Sequence, residues 1–378
     1  MHTTDILIVG GGVMGSSIAY HLAKQGRDVL LVERAEVATE PAASWASAGG
    51  VRRQGRHPAE AALAREALAR WPTLDGELGA MTLFRQQGNL LVAENDAEAE
   101  QLVKFVREQH SMGFSDVRWL DRAEVRALVP GIGAQVTAGS HSPADGQADP
   151  AWTTRAFAAA AIRHGATYWT QTDCHALLAA NAQVRGARTS RGDVQAQVVV
   201  LAAGAWSDTL AEPLGLRLPI QTRALQMVRS TPGPQTLRPV VSAVSRALSL
   251  KQLHDGAFLL GGGWPGDVTP DRRGYTLKPQ SIEGNWAAAS ALLPAVGEQR
   301  VDRAWCGLEA MSADGIPFIG FAPQIDNLVL AVGFTGHGFA LAPAVGRALA
   351  DLLAGQRVPE LDGLGPARIV NSPIEGPQ

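Results

Sequence analysis

Cysteine and lysine are scarce in this sequence, and neither acid nor base dominates its charge. The two cysteines, Cys174 and Cys306, lie far apart and have no second pair, which argues against a disulfide framework and a Cys-rich zinc site. Only four basic residues are lysine, and the abundance of arginine is typical of a biased composition. With 33 basic and 36 acidic residues the net charge is -3, which excludes an electrostatic nucleic-acid binder. The cysteine usage favours a reducing cytoplasm.

Long apolar runs are also missing. Residues 6–9 and 198–203 are far shorter than the ~20 residues that a membrane-spanning helix needs. A secretory signal would begin with a basic region and an apolar helix, whereas residues 5–9 lead directly into glycines. We therefore expect no membrane span, and we expect the N-terminus to be part of the fold. The length of 378 residues exceeds a single module of roughly 100–150 residues and predicts two domains or one large one.

The beginning of the chain predicts a complete βαβ unit, with strands at 6–9 and 29–32 around a helix at 13–25. Continuous apolar runs of this length are typical of parallel strands that are buried on both faces. Similar buried strands are predicted at 198–203 and 328–332. The other predicted elements are helices at 59–71, 97–110, 151–164 and 342–353, and antiparallel strands within 83–94 and 224–261.

These elements predict a mixed fold of α/β structure with antiparallel β structure. Buried strands recur at the start, middle and end of the chain, so we expect a Rossmann-like domain assembled from separated segments, with an inserted substrate domain built on an antiparallel sheet. The predicted boundaries are 1–81, 141–215 and 312–378 for the cofactor-binding domain, and 82–140 and 216–311 for the substrate domain.

A glycine-rich turn follows the first strand. It has the spacing G-x-G-x-x-G and consists of Gly10, Gly11, Gly12, Val13, Met14 and Gly15. In such a turn the first glycine permits a tight bend, the second lets the backbone approach a pyrophosphate, and the third lets the helix pack on the strand. The helix N-terminus offers free N–H groups to the phosphates. Glu33 ends the second strand, where an acid that binds ribose hydroxyls is expected, although a solvated strand-end acid is the alternative.

The motif serves FAD and NAD alike, and the rest of the chain favours FAD. An NAD site is usually completed by the βαβ units that follow it directly, whereas here helices and antiparallel strands intervene. A second strand-to-glycine turn, suited to the adenosine half, contains Ala203, Gly204 and Trp206. A third glycine-rich segment opens the last helix, where amides can stabilise negative charge on a reduced flavin; it contains Gly333, Gly336, His337, Gly338 and Phe339. An NAD-dependent dehydrogenase is the alternative, and His337 could instead hold the loop.

Taken together, these residues resemble the FAD-dependent D-amino-acid oxidase superfamily, in the branch that includes glycine oxidase, sarcosine oxidase, hydroxyproline dehydrogenase and the β subunits of opine oxidases. The segments that carry the resemblance are 5–21, 33–34, 44–52, 88–91, 145–150, 199–206, 314–320 and 333–343. The resemblance implies FAD, with its ring system between the two domains. It also implies that Arg34 lies in the cofactor site beside Glu33, that Cys174 contacts the adenine through its backbone, and that the flavin is lined by Ser44, Ser47, Ala48, Gly49 and Gly50.

The sequence departs from the family pattern at four positions. Where monomeric sarcosine oxidases tether the flavin through a cysteine, this chain has Gly307, and Cys306 is one residue away. A shift of one residue along a strand reverses the side chain, so we expect noncovalent FAD. The lysine that follows the last glycine-rich motif in those enzymes is Ala340 here. The two arginines with which glycine oxidase holds the substrate carboxylate correspond to Glu309 and Gly336, so neither known carboxylate clamp is intact.

The chemistry implied by the resemblance is oxidation of a C–N bond by hydride transfer to flavin N5, which leaves an imine that water hydrolyses to an oxo acid and an amine. The expected substrate is an amino acid or N-substituted amino acid, such as a secondary amine, an opine or a D-amino acid. The expected electron acceptor is a quinone, a dye-like compound or O₂. The rival hypothesis is a flavin-bearing β subunit that relays electrons in a hetero-oligomeric dehydrogenase and needs partner subunits.

Several polar residues are candidates for the substrate side of the flavin. A replacement anchor for the substrate carboxylate could be Arg52, Arg53 or Arg223, because a guanidinium binds a carboxylate through two hydrogen bonds; a surface charge is the alternative for each. Lys251 and His254 lie on a predicted strand pair that could face the flavin or end in solvent. Glu309 either meets a cationic group of the substrate or pairs with an arginine of the chain.

Overall fold

The structure is a computed structural model that describes residues 2–371. Its helices are α1 Val13–Lys24, α2 Ala43–Ala46, α3 Ala61–Arg70, α4 Leu74–Leu78, α5 Asp96–Ser111, α6 Arg122–Leu128, α7 Pro150–Arg163, α8 Ser207–Ala211, α9 Pro279–Leu292 and α10 Gly338–Leu353. Within this part of the chain, no helix has the length and apolar character that crossing a membrane requires.

The strands form two large sheets and two short pairs. They are β1 His2–Val9, β2 Val29–Val32, β3 Gly50–Val51, β4 Asn89–Ala93, β5 Arg118–Asp121, β6 Ala138–Ser142, β7 Gly146–Gln147, β8 Thr167–Trp169, β9 Cys174–Ala180, β10 Gln183–Thr189, β11 Gly192–Leu201, β12 Ile220–Ser230, β13 Val240–Ala243, β14 Ser249–Gln252, β15 Phe258–Gly261, β16 Asp267–Val268, β17 Tyr275–Thr276, β18 Val301–Ser312, β19 Phe318–Phe321 and β20 Leu328–Val332.

The first sheet has the strand order β19-β20-β11-β1-β2-β8, and all of these strands are parallel except β19. Its central strands are continuous apolar runs because both faces are covered. Ile6 and Ile8 pack beneath α1, α7 and α10, whereas Leu7 and Val9 pack against the opposite layer. The alternation follows from the two-residue period of a strand. Because β1 pairs in parallel with both β2 and β11, the carboxyl ends of these three strands lie side by side at one edge of the sheet.

The second sheet has the order β18-β12-β15-β14-β13-β4-β6-β5 and is antiparallel except between β4 and β13. The long pair β12 and β18 stays in register from Ile220 opposite Ser312 to Arg229 opposite Arg303. The short helix α2 packs on β18, and a backbone bridge joins Met311 to Phe334. These contacts bring β18 against the glycine-rich segment that precedes α10.

The fold class predicted from the sequence is confirmed, with differences in detail. The last helix begins at Gly338 rather than at residue 342, and only Asn89–Ala93 of the predicted strand 83–94 is a strand, because the preceding residues form a single bridge between Arg85 and Gln147. The sequence did not predict α9 or β18. The two sheets use different segments of the chain. The domain boundaries stay a prediction, and residues 372–378 of the last segment lie outside the described residues.

Candidate functional site

A cavity of about 410 Å³ lies between the carboxyl edge of the first sheet and strand β18. Most of the predicted cofactor residues line it, namely Gly10, Gly12, Val13, Met14, Glu33, Arg34, Ser44, Ser47, Cys174, Ala203, Gly204, Trp206, Gly333, Gly336, Gly338 and Phe339. Five others lie outside its wall, namely Gly15, Ala48, Gly49, Gly50 and His337. The structure thus brings together segments that are separated by up to the whole length of the chain.

The glycine-rich turn forms the middle of the cavity wall. Gly10 has φ +109°, and a Cβ there would lie 2.5 Å from the carbonyl oxygen of Ala202. At Gly12 the nearest heavy atom to an added Cβ is Ser44 Oγ at 3.1 Å, so the side of Gly12 that faces the cavity has no backbone against it. Gly12 is also the N-terminal flanking residue of α1. Backbone amides of the first turn of α1 therefore stand beside open space, as an anion site requires.

Glu33 holds the turn from the end of β2. Its carboxylate accepts hydrogen bonds from the backbone N–H of Gly11 at 2.7 Å and of Ala35 at 3.0 Å. Burial raises the pKa of Glu33, and these two N–H donors oppose that shift. On the other side of the turn, Ser44 Oγ accepts the N–H of Val13 at 2.9 Å. Both polar side chains are thereby fixed at the cavity wall by the backbone.

One end of the cavity is formed by residues that follow β2 and β11. The Arg34 guanidinium lies 3.8 Å from the ring centroid of Trp206, a cation–π contact. Trp206 in turn donates its indole N–H to the carbonyl of Arg272 at 2.7 Å. Cys174 is a free thiol at this end, and burial raises its pKa to about 12. The Cys174 side chain is therefore a neutral wall group rather than a nucleophile.

The far end of the cavity is formed by β18 and by the segment that opens α10. Glu309 lines this end, and burial raises its pKa to about 7, while the backbone N–H of Gly336 lowers it. His337 points away from the cavity. Its Nε2 lies 2.8 Å from Glu60 Oε1, and its Nδ1 lies 2.9 Å from the carbonyl oxygen of Thr335. Burial lowers the pKa of His337, and hydrogen bonding to Glu60 opposes this.

Two of the arginines that were candidate carboxylate anchors belong to a partly buried charged cluster outside the cavity wall. Burial lowers the pKa of Arg52, against the charges of Asp145 and Glu60. Arg53 forms an ion pair with Asp116 and lies 3.8 Å from Asp145. These acidic partners give Arg52 and Arg53 a role in the fold whether or not a substrate is bound. Neither arginine lines the cavity.

The structure does not bring the remaining three candidates to the cavity wall either. Arg223 is exposed, and its Nε donates to Gln221 Oε1 at 3.1 Å. His254 is exposed in the turn between β14 and β15, because the chain reverses at Asp255 and Gly256. Lys251 is buried on β14, where burial lowers its pKa to about 7 and the charge of Asp149 opposes the shift. Of the predicted catalytic residues, Glu309 alone lines the cavity.

Sequence reasoning missed the part of the wall that comes from the turn between β16 and β17. Asp271, Arg272 and Arg273 line the cavity from this turn. The Arg272 guanidinium forms hydrogen bonds of 2.9 and 3.0 Å with the carboxylate of Asp208 on α8. No motif in the sequence marks these residues, since the turn belongs to the segment between two strands of the second sheet. The other wall residues missed include Ala42, Ala43, Thr172, Asp173, His175, Thr209 and Leu210.

The residues present fit a dinucleotide such as FAD. The volume lies within the range of ~300–1,000 Å³ that is usual for ligand sites. Gly10 and Gly12 leave a backbone cradle at the N-terminus of α1, which a pyrophosphate requires, and Glu33 supplies acceptors for ribose hydroxyls. The wall also includes Leu308, Glu309 and Ala310 of β18.

Comparison with known proteins also indicates an FAD-dependent oxidoreductase. The family model described as FAD dependent oxidoreductase matches residues 5–352. A glycine oxidase of Pseudomonas aeruginosa is 32% identical over 375 residues, which cover 94% of this chain and 96% of that protein. A sarcosine oxidase subunit beta of an Arthrobacter species is 28% identical, with 93% of this chain and 87% of that protein covered. A crystal structure of an L-proline dehydrogenase from P. horikoshii has a TM-score of 0.90 at 26% identity and 98% coverage of both chains.

Proposed function

The chain belongs to the family of FAD-dependent oxidoreductases, and from this premise we propose that it oxidises the C–N bond of an amino acid or N-substituted amino acid, such as a secondary amine, an opine or a D-amino acid. The observation that carries the proposal is that one cavity is lined both by a pyrophosphate cradle and by a partly exposed carboxylate, Glu309. The similar glycine oxidase and L-proline dehydrogenase are named for substrates of this class.

The roles that we propose for the chain's own residues follow from their positions. The first turn of α1 binds the pyrophosphate, Glu33 accepts hydrogen bonds from ribose hydroxyls, and Arg34 with Trp206 covers the adenosine half. Gly333 and Gly336 give the segment before α10 a close approach to the ring system. The chemistry that FAD supplies when bound is acceptance of a hydride from the carbon next to the substrate nitrogen. The walls at β18 hold that carbon and exclude water.

The substrate and the electron acceptor are proposed as classes. A small amino acid or amine enters the compartment between β18 and the segment that opens α10, and a quinone, a dye-like compound or O₂ takes up the electrons. Arg52 and Lys251 do not line the cavity, and their part on the substrate side stays a proposal that rests on the sequence alone. We also propose a cytoplasmic location, supported by the two free cysteines.

The experiment that tests this function is anaerobic bleaching of the flavin absorbance in the purified holoenzyme. Glycine, sarcosine, proline, hydroxyproline, opines and D-amino acids are added one at a time. We expect at least one of them to bleach the oxidised band, and the imine product to appear as an oxo acid after hydrolysis. A protein that carries FAD and is bleached by none of these compounds, but is reduced by a 2-hydroxy acid or a sugar, would refute the substrate class.

A second candidate function is that of a flavin-bearing subunit that relays electrons within a larger complex. The similarity to a sarcosine oxidase subunit beta favours it. The two candidates differ in whether the isolated chain turns over. Steady reduction of a dye by the purified chain with an amine substrate supports an enzyme that works alone. If the substrate bleaches the flavin but the isolated chain does not turn over, and a fraction of the native cell extract restores turnover, the result supports the subunit.

A further inference from the structure

One carboxylate stands without a cation in the far wall of the cavity. Glu309 lies on β18 and lines the cavity. The neighbouring wall residues from β18 and from the segment before α10 are Leu308, Ala310, Gly333, Phe334 and Gly336. These neighbours present apolar groups or backbone. The only donor assigned to the Glu309 carboxylate among the described residues is the backbone N–H of Gly336.

An arginine stands directly opposite Glu309 in the sheet and yet leaves it unpaired. Arg223 on β12 is the register partner of Glu309 on β18, so their side chains leave the same face of the sheet. Arg223 is nevertheless exposed, and its Nε is bonded to Gln221 Oε1. No ion pair within 4.0 Å joins the two in the described part of the chain. Leu225, the next residue of β12 on this face, lies beside Gly336.

A carboxylate in this position is expensive unless a ligand compensates it. Glu309 is partly exposed to the cavity, and a carboxylate that is shielded from bulk water and has no counter-charge is less stable in its ionised form than a fully solvated one. Burial accordingly raises the pKa of Glu309 to about 7, and one backbone N–H offsets only part of the cost. Glu309 lines the cavity, whereas Arg223 does not. A cation that enters the cavity could therefore bind the Glu309 carboxylate, because no cation of the described residues pairs with it.

We propose that Glu309 determines specificity by binding a positively charged nitrogen of the substrate, either a secondary ammonium or a guanidinium. That a substrate lies in this part of the cavity rests on the proposed function. That the site prefers a cation rests on the residues that line the cavity. The preferred substrates are N-substituted or guanidinium-bearing amino acids. Amino acids with an uncharged side chain, which would be bound through their carboxylate, are disfavoured. The Glu309 carboxylate orients the cation, and the substrate carboxylate points elsewhere.

The test uses dead-end probes that differ in charge and hardly at all in shape. Methylguanidinium and methylurea are titrated into the holoenzyme, and binding is followed by the perturbation of the flavin absorbance and by calorimetry. We expect methylguanidinium to bind at least tenfold more tightly than methylurea. In Glu309→Gln the affinity for methylguanidinium should fall by roughly tenfold or more, while that for methylurea stays within about twofold, because a charge-assisted hydrogen bond is lost and the shape is kept.

The class of cation is read from a third probe, dimethylammonium. A tighter fit of dimethylammonium than of methylguanidinium identifies a secondary amine, and the reverse identifies a guanidinium; both results support a cation site. No probe requires turnover. A protein that binds these cations through Glu309 but oxidises no amine would defeat the proposed function and leave this inference standing.

Two control variants distinguish the proposal from the alternative that Glu309 pairs with an arginine of the chain. Asp302→Asn removes the same charge from the same strand at a partly exposed pair with Arg229, and it should leave both affinities unchanged. If Arg223 neutralises Glu309 in solution, Arg223→Gln will raise the affinity for methylguanidinium severalfold, and that result overturns the proposal. An equal loss of affinity for the cation and the neutral probe in Glu309→Gln overturns it as well, provided that the flavin content of the variant matches the wild type.

Discussion

The Cβ atom that Gly15 lacks would lie 1.9 Å from the carbonyl oxygen of Gly10. Gly10 itself has φ +109°, and a Cβ added to it would lie 2.5 Å from the carbonyl oxygen of Ala202. The end of β1, the start of α1 and the end of β11 are thus closed against one another by backbone contacts. Gly12, between them, faces the cavity instead. The three glycines of the motif therefore have separable roles, which substitution can distinguish.

Gly15→Ala should destabilise the fold itself. The added methyl group would meet a backbone oxygen that cannot turn aside, and overpacking of this kind costs about 3 kcal/mol. The free energy of unfolding in urea, measured on protein stripped of its cofactor, gives the direct check. Gly76→Ala is the matched control, since Gly76 lies in α4 and nothing stands within 4 Å of an added Cβ. Equal stability of Gly15→Ala and the control would contradict the packing role.

Gly12→Val should instead fold and fail to keep FAD. Its added Cβ meets only Ser44 Oγ at 3.1 Å, a side chain that can rotate, but its branched methyl groups occupy the place of the pyrophosphate. We expect FAD affinity to fall roughly tenfold or more, equivalent to at least about 1.4 kcal/mol. Flavin absorbance per chain after gel filtration and circular dichroism measure the two properties separately. Full flavin occupancy in Gly12→Val would place the pyrophosphate elsewhere.

The parts of the fold and site that could be predicted from the sequence are those whose signal is local. The turn from Gly10 to Gly15 and the acid at Glu33 are recognised by spacing alone, because strand, turn and helix follow one another directly. Asp271 and Arg272 could not be foreseen in the cavity wall. Their turn lies between β16, which packs against β12, and β17, which packs against β18, and such non-local contacts leave no trace in the order of residues.

The candidates for the substrate side show the same limit. The burial of Lys251 and the exposure of His254, three residues further on, depend on where β14 ends, and a strand pattern does not fix its own end to that accuracy. Arg52 and Arg53 were considered as free guanidinium groups. The carboxylates of Asp116 and Asp145 that pair with Arg53, and the charges of Asp145 and Glu60 that act on Arg52, come from other elements and are therefore visible only in the folded chain.

Flavin should leave the denatured protein completely, because no cysteine reaches the cavity from β18. The Cys306 side chain is buried on the face opposite Glu309, with its Sγ 2.5 Å from the place of an added Cβ at Gly266. At the neighbouring position, a Cβ added to Gly307 would lie 2.5 Å from the Cβ of Ala46. Acid precipitation should leave all yellow colour in the supernatant, and Cys306→Ala should have the flavin content of the wild type. Fluorescence that stays with the chain on a denaturing gel would refute this expectation.

His21 should make stability fall as the solution becomes acidic. Burial lowers its pKa from 6.5 to about 4, so the folded state resists protonation that the unfolded chain accepts. The stability from this group is fully present above pH 6.5 and is lost as the pH falls toward 4. Between pH 7.5 and 5 the loss is about 2 kcal/mol. In His21→Gln the unfolding free energy should fall by that much less over the same interval. Parallel pH profiles of the two proteins would show that His21 titrates normally.

The contact between Arg272 and Asp208 should slow the release of FAD. Arg272 is held by the Asp208 carboxylate at 2.9 and 3.0 Å and accepts the indole N–H of Trp206 at its carbonyl. Its turn lines the cavity together with Trp206, and we expect the turn to move when the adenosine half of the cofactor leaves. The pair is partly exposed, which limits its contribution to about 1 kcal/mol.

Asp208→Asn should therefore raise the FAD dissociation rate roughly fivefold, the factor that corresponds to about 1 kcal/mol. The rate is measured as the rise of free flavin fluorescence after a large dilution of the holoenzyme into buffer without flavin. Asp193→Asn is the matched control, because it breaks the exposed ion pair with Arg188 on the hairpin of β10 and β11. A dissociation rate in Asp208→Asn equal to that of the control would show that the turn opens freely, and that the cofactor is retained by the glycine cradle and Glu33 alone.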